Sequence, residues 1–219
     1  MLKLSIDQII GRIQKGQNFE AESEDASFYI KIEDYVPFVC TAIHDGHNFR
    51  EELQEKIIHT ESERWYEEDP STLAFISSFP IVLSGKDSRF EYDLNRMPET
   101  AVYKDAWGKD VWQPELTKQE RELSLSKHAG FYKVVHALVS KIEALFTACV
   151  VYDMHSYNYK RHEHEVPVFN VGTERVNLKK YGQIQNAFLK GLSSIELPNI
   201  QNTTEENGPF KGRGYLLQY

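Results

Sequence analysis

Two histidines stand directly after apolar runs, His44 in Ala42-Ile43-His44-Asp45-Gly46-His47 and His155 in Val151-Tyr152-Asp153-Met154-His155-Ser156. Such a run reads as a buried strand, and a side chain at its carboxyl end faces the crevice where α/β sheets hold ligands. A neutral imidazole there is a zinc ligand, and a hydrolytic zinc takes three protein ligands and keeps one position open. His47 is near enough in sequence to join, and a carboxylate from Glu67-Glu68-Asp69 completes a set of two histidines and one acid. The candidate ligands are therefore His44, His47, Glu68 and His155, with Asp153 placed to orient an imidazole from behind. The competing reading makes His44 and His155 hydrogen-bonded histidines at strand ends, since no short ligand motif of the HExxH kind is present. Taken as a pair they favour metal.

A second constellation, Asp93-Leu94-Asn95-Arg96, couples a guanidinium to a side-chain amide. Arginine grips a carboxylate through two parallel hydrogen bonds and asparagine adds a directional contact, so Asn95 and Arg96 suit an acidic small substrate. An ion pair of Arg96 with Glu91 or Glu99 is the even alternative. Arg50 after His47, and Lys160-Arg161 after His155, either bring positive charge to the same crevice or lie on the surface. The acidic triplet before Pro70 reads equally as a cap or a solvated patch. His162 and His164 belong to a mixed-charge loop, and His59, His128 and His136 to the surface or to helix packing.

These residues need elements to hold them. Ile6, Ile9, Ile10 and Ile13 predict a short helix ending near Gly16. Ser27–Ile32 and Val36–Ile43 predict strands on either side of a turn, and Phe49–Ile58 a charged helix. Pro80–Leu83 predicts a strand, followed by the turn Ser84–Asp87 and by Phe90–Asp93, so that this β region ends at Asn95-Arg96. The longest helix spans Lys118–Phe146, with Val134, Leu138, Val139, Ile142, Leu145 and Phe146 on one stripe. Cys149–Met154 and Val166–Val171 predict strands and Lys179–Leu192 a helix. Asn199–Lys211 reads as an exposed loop, and Tyr215–Tyr219 as the start of a strand. Strands alternating with helices give an α/β fold with a largely parallel sheet.

The chain has 219 residues, a length that predicts one domain over 1–219. An apolar fraction of 41% with 12% aromatics builds a core and excludes global disorder. The balance of 25 basic and 33 acidic residues, net −8, argues against nucleic acid and anionic membrane as partners. Cys40 and Cys149 sit inside apolar runs and form no disulfide framework. No apolar run approaches the roughly 20 residues of a membrane span, and the expected compartment is the cytoplasm.

Taken together, the segments Ala42–His47, Arg64 with Glu67–Pro70, Ser88–Arg96 and Tyr152–Asn158 make the chain resemble the N-formylglutamate amidohydrolases, a family grouped with zinc carboxypeptidases and aspartoacylase-like enzymes. Val171-Gly172-Thr173 and Asn207–Tyr215 are weaker matches, and the likeness runs over about residues 36 to 215 in the same order. It implies an α/β three-layer sandwich with a mixed, largely parallel sheet, of the phosphorylase/hydrolase-like kind. The implied activity is hydrolysis of an N-acyl (formyl) amide on an acidic amino acid, with one zinc ion per chain. His44 and His155 are then metal ligands, and Asn95 and Arg96 hold the carboxylate of a small anionic N-acyl amino acid.

The chain departs from that pattern twice. His47 follows His44-Asp45-Gly46, so the third ligand is either His47 or an acid of Glu67–Asp69. The family likeness also implies a C-terminal strand carrying a Glu as general base. The last glutamates here are Glu205 and Glu206, in the expected polar loop, which predicts a chain truncated before that strand or one lacking the base. Three readings follow: a zinc amidohydrolase, a catalytically weak relative that binds an acidic metabolite as a sensor or partner subunit, and an α/β protein with neither metal nor ligand.

Overall fold

A computed structural model describes residues 1–218. β1 (Leu2–Leu4) runs into α1 (Ile6–Gln14), whose start is a capping box: Ser5 accepts the Gln8 N–H, and the Gln8 side chain accepts the Ser5 N–H. Three strands follow, β2 (Phe19–Ser23), β3 (Phe28–Ile32) and β4 (Phe38–Ala42). The acidic segment Glu20–Asp25 thus hides a strand, because Phe19, Ala21 and Ser23 alternate inward against β3 while Glu20 stays exposed. Phe49–Ile58 is not the expected helix. Only Glu51–Leu53 makes a single 3-10 turn, and Leu53 alone of that turn is buried.

The chain continues through α2 (Glu61–Glu67), α3 (Thr72–Ile76), β5 (Ile81–Gly85), α4 (Pro98–Ala101) and the hairpin β6 (Asp105–Ala106) with β7 (Lys109–Asp110). Phe90–Asp93 forms turns, so Asn95 and Arg96 lie in a loop beyond β5 and not at a strand end. α5 (Lys118–Phe146) has the predicted bounds and a capping box of Thr117 with Glu120, and β8 (Val150–Asp153) follows it. Val134, Leu138 and Ile142 bury the expected stripe, whereas Leu145 and Phe146 stay exposed in the last turn.

The main sheet has the order β1-β2-β3-β5-β4-β8. β1 with β2, β4 with β5 and β4 with β8 are parallel, and β3 runs antiparallel to both its neighbours. Its two faces are covered separately. Phe28, Ile30, Ile32 and Leu83 share the face on α1 and α5, with Phe28 edge-on to Phe131 at 5.7 Å. Cys40, Ala42 and Val82 share the other, against Ile76 of α3. The result is a three-layer α/β sandwich. Each large core side chain that leaves water contributes about 1.5–3 kcal/mol, so the paired layers fix where the strands end.

These elements make up one compact unit, Met1–Ser156, and Tyr157–Gln218 makes up another. In the second unit β9 (Phe169–Val171) pairs in parallel with β10 (Thr204–Glu206), and α6 (Leu178–Ser193) packs on β10. The stretch expected as a loop therefore carries a strand, and Glu205 and Glu206 lie on it opposite Asn170 and Val171. Leu216–Gln218 is a 3-10 turn where a strand was expected, and Tyr219 lies outside the described residues. Among the described residues no helix is long and apolar enough to cross a membrane.

Candidate metal centre

The parallel strands β4, β5 and β8 end side by side, and the segments leaving them build one site. After β4 the chain turns along Lys86–Ser88: the Asn48 N–H donates to the Lys86 carbonyl at 2.9 Å and the Ser88 N–H to the Asn48 carbonyl at 2.7 Å. A Cβ on Gly46 would stand 2.2 Å from the Lys86 backbone, so this approach requires glycine. α2 ends at Glu67, and the extended Glu68 leads to Asp69, which Pro70 keeps out of helical conformation. The Asp69 N–H then donates to the His44 carbonyl at 2.9 Å, and its own carbonyl accepts the Thr72 hydroxyl at 2.8 Å. Asp69 is thereby pinned across the end of β4.

His44, Asp69 and His155 converge, one ligand atom of each lying within 4.8 Å of the others. Asp69 Oδ2 stands 3.4 Å from His44 Nδ1 and 2.8 Å from His155 Nδ1, while Asp69 Oδ1 accepts the Ser156 hydroxyl at 3.0 Å. Both far nitrogens are held by carboxylates. His44 Nε2 donates to Asp93 Oδ1 at 2.7 Å and His155 Nε2 to Asp153 Oδ2 at 2.9 Å. A proton fixed on Nε2 leaves His44 Nδ1 with its lone pair directed at the shared space, whereas His155 Nδ1 donates to Asp69 Oδ2 and would release that proton to an incoming cation. His44 Nδ1 is buried and has no hydrogen-bond partner. That orphaned acceptor, two oriented imidazoles and a carboxylate fit a zinc-type ion.

The electrostatics point the same way. Burial works against ionising Asp69, yet the hydrogen bond from His155 and the nearby His44 ring hold its carboxyl well below the usual range. Asp93 is wholly buried, and against that cost Arg89 and His44 keep it ionised far below the ordinary value. Burial opposes charge on His155, but Asp153 and Asp69 push its pKa up to about 10. The space between these carboxylates favours positive charge.

Of the residues singled out in the sequence, the structure brings together His44 and His155. His47 and Glu68 lie outside that group and pair with each other: Glu68 accepts from His47 Nδ1 with one oxygen and from the Ser88 hydroxyl with the other. Arg50 is consumed by the fold. It donates to Glu91 Oε1 at 2.8 Å, Glu52 at 2.9 Å, the Glu120 carbonyl at 2.9 Å and Ser124 at 2.8 Å, which ties the loop after β4 to α5 and leaves it no fork for substrate. Arg96 makes no ion pair with Glu91 or Glu99; its guanidinium lies 5.6 Å from the Tyr103 ring centroid. Asn95 carries a buried side-chain oxygen without a partner. Arg161 belongs to the second unit, in the 3-10 turn Tyr159–Arg161.

Four site residues carry no individual role in the sequence reading. Asp69 was hidden in an acidic triplet, although its place before Pro70 sets it apart from Glu67 and Glu68. Asp93 is the hub of its loop, accepting from His44, from Arg89 at 2.8 Å, from the Asn95 N–H at 2.6 Å and from the Tyr103 hydroxyl. Arg89 and Tyr103, which brace it, carry no spacing signal.

A family model described as N-formylglutamate amidohydrolase matches residues 36–219, across both units. Among solved structures, one described as the crystal structure of gene product Atu2144 from Agrobacterium tumefaciens has a TM-score of 0.64 and 19% identity. The match covers 84% of this chain and 74% of that one, and it shows a shared fold. Curated protein sequences give no match.

Proposed function

The chain belongs to the N-formylglutamate amidohydrolase family, and from that premise we propose that it is a zinc-dependent hydrolase that cleaves the formyl or a related acyl group from the nitrogen of an acidic amino acid. His44, Asp69 and His155 hold the ion. The observation that carries this is His44 Nδ1, buried, unpartnered and facing Asp69, whose same oxygen meets His155 Nδ1 at 2.8 Å. Zinc bound there supplies Lewis-acid polarisation of the acyl carbonyl and acidification of water.

The remaining work falls to this chain's own side chains. Asp93 and Asp153 keep the Nε2 protons in place, so both imidazoles offer Nδ1. Asn95 presents a buried oxygen suited to an amide N–H, and Arg96, which has no counter-charge among the described residues, presents its guanidinium to the substrate carboxylate. Arg89 is engaged with Asp93 and with the Glu67 carbonyl at 3.1 Å, which fits it for holding the loop in shape.

The test is elemental analysis of the chain purified without chelator, together with hydrolysis of N-formylglutamate. About one zinc per chain is expected, lost in both His44→Ala and Asp69→Ala while the far-ultraviolet spectrum is kept. Retention of stoichiometric metal in either variant refutes the ligand set. Zinc without turnover refutes the activity and leaves the metal site standing.

A further inference from the structure

The loop that carries Asn95 and Arg96 is gripped from behind by α5. His128 and Tyr132 lie one turn apart on that helix and are both buried, with exposures of 1% and 6%. His128 Nε2 donates to the Arg96 carbonyl at 3.0 Å, and the Tyr132 hydroxyl donates to the Leu94 carbonyl. Four residues of α-helix rise about 6 Å and two residues of open chain span at most about 7 Å, so one helical turn matches carbonyls two residues apart. The two rings also steady each other, their centroids 4.8 Å apart. An apolar residue fills a helix core without needing a partner, whereas a buried hydroxyl or imidazole must find one. Two polar side chains set in the buried stripe of α5 and spent on the same three-residue segment therefore mark a constraint on that segment.

Asn95 stands between the two held carbonyls. Its N–H donates at 2.6 Å to Asp93 Oδ1, the same oxygen that takes His44 Nε2 at 2.7 Å, so the Asn95 backbone is one carboxylate oxygen away from a residue of the metal group. Its side-chain oxygen is buried with no hydrogen-bond partner. Asp93 has a hold of its own that does not involve α5: its N–H donates to the Ala101 carbonyl at 2.7 Å, and Arg89 and Tyr103 donate to its second oxygen. Beyond Asp93 the grip passes to the helix. Burial keeps the His128 pKa below its ordinary value against the pull of the Arg96 carbonyl, Asp93 and Glu99, so the ring is neutral at pH 7 and its one N–H is committed to Arg96.

We infer that His128 and Tyr132 are positioning residues for substrate binding: together they fix the backbone of residues 94–96, and through it the aim of the Asn95 carboxamide and the Arg96 guanidinium, while the metal group is held without them. The inference rests on the proposed role of Asn95 and Arg96 toward the substrate, and it assigns the hold on them to two side chains of α5. Contacts made equally to substrate and transition state lower KM and leave kcat alone, so the loss of this clamp falls on KM.

The experiment is steady-state hydrolysis of N-formylglutamate by the full zinc-loaded chain, with calorimetric binding of L-glutamate and zinc content measured on the same samples. Tyr132→Phe removes one hydroxyl and keeps the ring; KM and the glutamate Kd are expected to rise roughly 3- to 10-fold, the value of one neutral hydrogen bond. His128→Leu leaves the Arg96 carbonyl without its donor and is expected to raise both roughly 10- to 100-fold. His128→Gln returns an N–H near the place of Nε2 and should recover most of the loss. Zinc content and kcat should stay near wild type in all three. Melting temperatures control for folding, and Tyr132→Phe decides if His128→Leu does not fold. A purely structural residue would add its effect in any background, whereas a positioning residue acts through its target: in a chain carrying Asn95→Ala and Arg96→Ala, Tyr132→Phe should lower kcat/KM no further. An unchanged KM in Tyr132→Phe and His128→Leu overturns the inference, as does an additive effect in that background or a loss of zinc in Tyr132→Phe. Turnover with a KM indifferent to the variants ends the clamp and spares the function; a glutamate affinity that follows the variants in a chain without turnover does the reverse; a wild type that neither turns over nor binds glutamate overturns both.

Discussion

Arg50 and His44 are six residues apart and both withdrawn from water, with side-chain exposures of 12% and 1%, yet their polar atoms are treated in opposite ways. Arg50 opens a chain of paired charges beneath α5. It bonds Glu91, Glu91 faces Lys127 at 3.3 Å, Lys127 bonds Asp87 at 2.9 Å, and Asp87 accepts the Tyr92 hydroxyl at 2.7 Å. After β4 and in the loop beyond β5 the opposite holds: His44 Nδ1 and Asn95 Oδ1 are buried with no hydrogen-bond partner. An unpartnered buried polar atom costs about 1–3 kcal/mol, so an atom left in this state calls for a water, ion or ligand to complete it. The closed network fastens the loops, and the open set is where the proposed ion and substrate would bind.

The comparison breaks first at Arg50. Arg50→Ala leaves Glu91, wholly buried, with Lys127 as its remaining counter-charge, and should cost roughly 3–5 kcal/mol of stability in urea unfolding. The folded fraction should still bind one equivalent of metal. A loss below about 1 kcal/mol, the range of surface pairs, would mean that the network braces nothing. A smaller effect sharpens the other side. Asp93→Asn keeps the shape beside His44 but weakens its hold on the Nε2 proton, and metal affinity in chelator competition should fall roughly 10- to 100-fold. Unaltered affinity would remove Asp93 from the support of the site.

How much of this was legible in the sequence depended on the physical signal each part carried. The apolar run 36–43 and the long stripe of α5 declare themselves by period, and His44 and His155 inherit their position from strands that could be read. β2 was hidden because an edge-side strand with alternating glutamates looks like an acidic loop, and β10 because three polar residues have no period. Within Glu67–Asp69 the sequence reading takes Glu68 as the candidate carboxylate, with His47 as the other third ligand, whereas the carboxylate grouped with His44 and His155 is Asp69. Choosing Asp69 required knowing that α2 ends at Glu67 and that Glu68 turns to His47, which is tertiary information. For Arg50 the sequence leaves crevice and surface open, and neither reading shows the buried bonds it makes, because its partners Glu91, Glu120 and Ser124 lie 41 to 74 residues away.

The smallest expected effect tests the closed network by pH. Asp87 is 7% exposed; burial, reinforced by neighbouring Glu91, outweighs Lys127 and the Tyr92 hydroxyl and raises its pKa from 3.8 to about 6. Lys127 also reaches Asp25 electrostatically. A carboxyl with a raised folded-state pKa favours the folded chain while it is protonated. Its contribution is therefore complete below about pH 3.8 and is lost as pH rises through about 6. Asp87→Asn imitates the protonated acid at every pH. Relative to wild type, the variant should gain stability between about pH 4 and 6 with a slope on the order of 1 kcal/mol per pH unit, and the difference should level off above that window. Parallel pH profiles for the two proteins would show that Lys127 compensates Asp87 fully, and that the network is closed at this end as tightly as it is at Arg50.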